Sequence, residues 1–136
     1  DAATPSSGTS AKWRLYVFKG EQLLDTLHIH RQSAYLIGRD DRVVDIHTAH
    51  ASCSKQHAVI QYRAVPITTT ANSGGIEKEV KVIKPYLLDL GSSNKTYLND
   101  ITVDDSRYYE LRDKDSLRFG ASSREYVLLR DTTSNE

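Results

Sequence analysis

His57-Ala58-Val59-Ile60-Gln61-Tyr62-Arg63 decides the fold. On an extended chain Val59 and Gln61 fall on one face, and Ala58, Ile60 and Tyr62 on the other. That period of two marks a half-buried strand rather than a helix. Working outward, the same character returns on both sides. Trp13-Arg14-Leu15-Tyr16-Val17-Phe18 is aromatic and β-branched, Leu27-His28-Ile29-His30 alternates, and Ala34-Tyr35-Leu36-Ile37-Gly38-Arg39 is a strand running into a glycine. Val43 to Ile46 is a short candidate strand. Downstream, Glu77 to Ile83, Pro85 to Leu90, Thr96 to Asn99, Tyr108 to Leu111, Ser116 to Gly120 and Glu125 to Leu129 complete the series. No stretch sustains a helical period. Short strands separated by turn residues predict an all-β sandwich of two antiparallel sheets, with about ten or eleven strands.

The remaining segments set the boundaries. Residues 1–11 are Ala, Thr, Ser, Pro and Gly with little else, and read as a flexible N-terminal tail before a domain over 12–130. Residues 66–77, rich in Thr, Asn, Ser and Gly, read as a flexible loop insertion, and 131–136 as a polar C-terminal tail. The chain opens on Asp1 rather than methionine, which reads as a fragment or a processed form.

At 136 residues the chain supports one domain with a sizeable core. Eighteen basic residues balance eighteen acidic ones, so the formal net charge is zero. A generic nucleic-acid binder is normally basic, and direct RNA binding is disfavoured on that ground. The single cysteine, Cys53, excludes a disulfide framework and points to a reducing compartment. There is no apolar run of membrane-spanning length and no signal-peptide pattern, so no membrane partner is expected.

Three segments carry chemistry: Gly38-Arg39, Ser54-Lys55-Gln56-His57, and Leu90-Gly91-Ser92-Ser93-Asn94-Lys95-Thr96. Together they offer a way to hold a phosphate without a helix or a P-loop. Arg39 supplies a planar fork of donors that matches phosphate oxygens. Ser54 adds a hydroxyl donor, Lys55 a mobile point charge, and Asn94 a donor and an acceptor on one side chain. Each has a plainer alternative. Arg39 can pair with Asp40 or Asp41 at the surface, Ser54 can close a local turn, Lys55 can be a solvated charge, and Ser93-Asn94 is good turn chemistry. Ser54 and His57, three apart, suggest a hydrolase, but no Gly-x-Ser-x-Gly elbow surrounds the serine. The pairs His28/His30 and His47/His50 lack the framing of a zinc site, and no second cysteine supports one, so no metal and no cofactor is expected. The set reads as a binding site, not an enzyme.

In this order the segments resemble a forkhead-associated (FHA) domain, a β-sandwich with its ligand loops at one end. The resemblance runs from about Trp13 to Arg130 and rests on Gly38-Arg39, Ser54 to His57, and the run from Leu90 to Asn99. Flanking words such as His30-Arg31-Gln32-Ser33-Ala34-Tyr35-Leu36 and Ser52-Cys53-Ser54-Lys55-Gln56-His57-Ala58-Val59 are similar to the branch of the Smad nuclear-interacting, Dawdle and pre-mRNA leakage proteins. That resemblance implies a phosphothreonine-peptide-binding module of a nuclear factor of pre-mRNA splicing, in the retention and splicing (RES) complex of the spliceosome. The implied partners are a phosphothreonine-containing protein and splicing-complex proteins. The other outcome is a constitutive spliceosomal scaffold whose phosphate site is secondary or vestigial. The family implies phosphopeptide contacts from Arg39, Ser54, Lys55, Ser93 and Asn94, and structural support from Gly38, His57, Gly91, Thr96 and Asn99. It also implies glycine where this chain has Lys95. A positive φ there costs a lysine about 1 kcal/mol.

Overall fold

Gly38 ends the strand from which the fold is most simply described, because the loops on either side of that end meet there. The computed structural model describes residues 11–70 and 74–131. It contains eleven strands: β1 (Lys12–Lys19), β2 (Gln22–His28), β3 (Ala34–Gly38), β4 (Ile46–His47), β5 (Ala58–Thr69), β6 (Lys78–Asp89), β7 (Thr96–Leu98), β8 (Ile101–Thr102), β9 (Tyr108–Glu110), β10 (Ser116–Phe119) and β11 (Arg124–Asp131). One sheet runs β2-β1-β11-β10-β7-β8 and the other β4-β3-β5-β6-β9. No helix occurs among the described residues.

The inward residues of both sheets build one core. Leu15, Ile37, Ala58, Ile60, Leu87, Leu117, Phe119 and Leu128 are fully buried in it. The alternation read from 58–62 holds: Ala58, Ile60 and Tyr62 face the core, while Val59 and Gln61 are half exposed. Tyr62 spends its hydroxyl on the Ile29 carbonyl at 2.5 Å, and burial pushes its phenol pKa well above the ordinary value. The T-shaped pair of Phe119 and Tyr126 fills the opposite side of the core.

Several sequence expectations change in detail. The expected loop over 66–77 is shorter, because Pro66–Thr69 continue β5 and pair with Lys78–Lys81 of β6. Ile67 and Thr68 have the branched shape a pleated ribbon favours, and cross-strand contact with Val80 and Glu79 outweighs their polar surroundings. Glu77 to Leu90, read as two strands, is one strand bounded by Lys78 and Asp89. Val43 and Val44 are not strand. Their N–H groups both turn back to the Asp40 carbonyl, and only Ile46–His47 pair with β3. That pairing is parallel, so the sheet holding it is mixed rather than antiparallel throughout. Gln22–His28 and Ile101–Thr102 are strands that the sequence reading left short or unassigned. Asp131, placed in the tail, is the last residue of β11, pairs with Lys12 and makes an ion pair with Arg14 at 2.7 Å. The expected tails at 1–10 and 132–136 lie outside the described residues.

Candidate functional site

Loops 39–45, 48–57, 90–95 and 120–123 are drawn together by contacts between residues far apart in sequence. The first two are zipped by backbone. The Arg39 N–H donates to the Ser54 carbonyl at 2.9 Å, Asp40 N–H to Lys55 at 3.2 Å, and His57 N–H to Ile37 at 2.8 Å. Gly38 makes the zip possible. A Cβ there would sit 2.1 Å from the Lys55 carbonyl oxygen, so only glycine admits this approach.

His57 is wholly buried and joins two loops. Its Nδ1 accepts the Ser54 N–H at 3.0 Å, and its Nε2 donates to the Lys95 carbonyl at 2.8 Å. These partners place the ring proton on Nε2. The Ser54 hydroxyl oxygen accepts the Ser93 N–H at 3.3 Å and makes no bond to His57. No nucleophile–base pair is therefore assembled between them.

Lys95 adopts φ 73°, the left-handed conformation. Its carbonyl takes both the His57 donor and the Gly120 N–H, at 2.9 Å, which holds the residue in that conformation. Asn94 donates from its side-chain amide to the Ser52 carbonyl at 2.8 Å, crossing from one loop to the other. Its side-chain oxygen carries no hydrogen bond among the described residues.

Beneath these loops lies a group the sequence reading missed. Asp89 is only 2% exposed, and its carboxylate accepts four hydrogen bonds. They come from the N–H groups of Gly91 and Ser92, both at 2.9 Å, and the hydroxyls of Ser92 and Thr96, both at 2.6 Å. Burial alone would raise its pKa. The Ser92 and Thr96 hydroxyls and the two backbone N–H groups outweigh burial and hold the carboxyl below its ordinary value. Gly91 has φ 78°, and a Cβ there would meet only the Asp105 carboxylate at an ordinary contact distance of 3.7 Å, so glycine is needed for the backbone angle rather than for room. The available signal was Asp followed two and three residues later by Gly and Ser, the spacing of an Asx turn.

Arg39 is exposed, and its Nε donates to the Cys53 carbonyl at 2.8 Å. Its two terminal amino groups make no hydrogen bond or ion pair among the described residues. Asp40 pairs instead with Arg42, through Nε at 3.0 Å, so the surface pair considered for Arg39 does not form. The Arg42 side chain also holds the Asp40 carboxyl below its ordinary pKa. Lys55 and Ser93 are exposed on the facing loops. His47 and His50 serve the same loops. The Nε2 of His47 lies 3.0 Å from the Arg39 carbonyl, and the Nδ1 of His50 lies 2.8 Å from the Ser52 hydroxyl. Ser52 in turn accepts the Ala121 N–H, and a Cβ on Gly120 would fall 2.6 Å from its hydroxyl.

Asn99 is placed apart from the set. Its side chain bonds Asp115 and the Ser116 N–H, at 2.9 Å each, at the other end of β7. The structure thus brings together Gly38, Arg39, Ser54, Lys55, His57, Gly91, Ser93, Asn94 and Thr96. Asn99 instead ties the β7–β8 turn to the start of β10.

The arrangement offers a guanidinium fork, a hydroxyl and an amide oxygen on a rigid rim, chemistry suited to an anion carried on an extended backbone. Comparison with known proteins bears on the family and the fold. The FHA domain model matches residues 35–120. The chain is 54% identical over 126 residues to the FHA domain-containing protein DDL of Arabidopsis thaliana, covering 92% of this chain and 38% of that protein. It is 52% identical over 122 residues to Smad nuclear-interacting protein 1 of Mus musculus, covering 90% of this chain and 30% of that protein. The chain therefore spans little more than a third of these relatives at most. Among solved structures, the yeast Pml1 splicing factor, described with its integration into the RES complex, superposes with a TM-score of 0.73 at 27% identity. That match covers 96% of this chain and 93% of Pml1.

Proposed function

The chain belongs to the FHA-domain family, and on that premise we propose that it is a non-catalytic module that binds a phosphothreonine segment of a partner protein. The observation that carries this reading is Arg39. Its Nε is fixed on the Cys53 carbonyl while both terminal amino groups are left unpaired at the loop end of the sandwich. A phosphate brings nearly two negative charges and three acceptor oxygens, which those groups match bidentately. Ser54 keeps its own O–H free to donate, because its oxygen is used as an acceptor from Ser93. Lys55 and Ser93 add a charge and a hydroxyl at the rim. Asn94, held by the Ser52 carbonyl, presents its amide oxygen to a peptide N–H. His57, Gly38, Gly91 and Thr96 hold the loops and touch no ligand.

The setting follows from relatives. The likeness to Smad nuclear-interacting protein 1 and to Pml1 supports a nuclear role in pre-mRNA splicing, within the RES complex, with splicing proteins as partners. The test is selection from an oriented phosphothreonine peptide library, followed by calorimetric titration of the selected peptide. Arg39→Ala is expected to abolish binding and to leave the fold in place. An unphosphorylated peptide that bound equally well, or an Arg39→Ala variant of unchanged affinity, would refute the reading and favour a constitutive scaffold.

A further inference from the structure

The ribbon formed by β5 and β6 outruns the sheet that carries it. Strand β9 covers β6 only over Tyr86–Leu88, with one further bond from the Leu111 N–H to the Pro85 carbonyl at 2.9 Å. Strand β3 covers β5 only as far as Gln61, with the Tyr62 N–H reaching back to Ser33. Beyond these points both edges of the ribbon have no neighbouring strand among the described residues.

Backbone groups alternate sides along a strand. Pro85 turns its carbonyl toward β9, so Ile83, Lys81 and Glu79 turn their N–H and C=O groups the same way. The residues between them bond β5. The edge on the β3 side is blunted at Pro66, which has no N–H to offer. The proline of the β6 edge, Pro85, lies where Leu111 already covers it; beyond it, at Glu79, Lys81 and Ile83, three N–H groups and three carbonyls stand in a row without a partner strand among the described residues.

Beside this edge lies a cleft of about 860 Å³, at the end of the sandwich away from Arg39. Trp13, Ile83 and Leu111 give it an apolar floor. Its charge is unbalanced. Lys81, Lys84, Arg112 and Arg130 line it against Glu110 and Asp113. Glu110 is shared between Lys84 at 3.4 Å and Arg112 at 3.9 Å, while Lys81 has no ion pair among the described residues. The Arg130 guanidinium lies 5.9 Å from the centre of the Trp13 ring.

We propose that the open edge of β6 is a second docking site, taking an extended acidic segment of a partner protein as an added strand in line with β9. Main-chain bonds to Glu79, Lys81 and Ile83 supply the pairing. Every second side chain of the segment faces the apolar floor, and carboxylates between them meet the surplus cations. The site is independent of the phosphate loops and does not rest on how those are read.

The test uses a synthetic peptide, Glu-Val-Asp-Phe-Asp-Val-Glu, and its counterpart with every acidic residue replaced by lysine. Amide hydrogen exchange of the domain is followed residue by residue. With free acidic peptide at about ten times its Kd, exchange at Glu79, Lys81 and Ile83 is expected to slow about tenfold. Val80 and Val82, already bonded to β5, are expected to stay unchanged. Lys81→Pro removes one outward N–H without touching the bonds to β5, and is expected to abolish the protection. If that variant proves unfolded, Lys81→Glu combined with Arg112→Glu is expected to weaken acidic-peptide binding about tenfold instead. Equal binding of the lysine peptide, binding without protection of the three alternate amides, or loss of binding on Arg39→Ala overturns the proposal.

Discussion

Replacing Gly38 by alanine tests whether the close approach of loops 39–45 and 48–57 creates the site. Gly38 has no positive φ, so alanine is not strained by backbone angle. The cost is steric. The new Cβ would lie 2.1 Å from the Lys55 carbonyl oxygen, 2.8 Å from its carbon and 3.0 Å from the Gln56 Cα. All three are backbone atoms and no rotamer change relieves the clash. The strands must separate by roughly 1 Å or more to restore van der Waals distance. At that separation the three backbone bonds joining 37–40 to 54–57, now at 2.8–3.2 Å, pass beyond useful length. At about 1 kcal/mol each they amount to about 3 kcal/mol, a large part of the stability of a domain this size. Urea denaturation followed by the fluorescence of Trp13, the single tryptophan, reads this loss directly. Gly20→Ala is the control, because Gly20 has φ 61° and nothing near its Cβ position. It is expected to cost only about 1 kcal/mol, from backbone angle alone. Phosphopeptide affinity is expected to fall in Gly38→Ala and to hold in Gly20→Ala. A Gly38→Ala protein within about 0.5 kcal/mol of the parent, with binding intact, would show that the loops separate freely and that the zip is not what fixes Arg39 against Ser54.

Two further outcomes follow from the same loops. Lys95→Gly removes the left-handed strain at φ 73° and is expected to stabilise the domain by up to about 1 kcal/mol in urea denaturation; a lower midpoint would mean that the lysine side chain supports the loop. Asp89→Asn turns an amide N–H₂ toward groups that are themselves donors and is expected to cost about 3 kcal/mol at neutral pH. The folded-state pKa of Asp89 lies below its unfolded value. Its contribution is thus complete above the ordinary carboxylate value and lost as pH falls through the folded one. Denaturation curves of parent and variant are therefore expected to converge in acid, and a gap independent of pH would refute the assignment.

What the sequence showed clearly was whatever depends on a residue and its near neighbours. The alternation at 58–62 located the central strand and its buried face because side-chain direction follows a local period. The sequence failed where pairing between distant segments decides. Pro66–Thr69 have the composition of a loop, and they are strand because Lys78–Lys81 lie opposite them. Val43 and Val44 have the composition of a strand, and they turn because the Asp40 carbonyl collects both N–H groups. In the first case tertiary context overrides composition, and in the second a local turn overrides propensity.

The site divides along the same line. The chemistry proposed for Arg39 and Ser54 is visible in sequence because it belongs to their own side chains. The framework was not, because it consists of pairs. His57 reaches Lys95 across 38 residues, Asn94 reaches Ser52 across 42, and Ala121 reaches Ser52 across 69. Three of these groups are backbone N–H or C=O, which every residue carries and no sequence pattern marks. Under the proposed phosphopeptide-binding function, such a framework has a consequence for affinity. Because the loops are fixed to one another before any ligand arrives, binding a phosphate need not order them, and the entropy that a mobile loop would lose is spared. The charged contact at Arg39 can then appear in affinity nearly undiminished. Positioning residues such as His57 and Asp89 act on binding only through this rigidity. Their loss should lower stability and affinity together, whereas loss of Arg39 lowers affinity with stability almost unchanged.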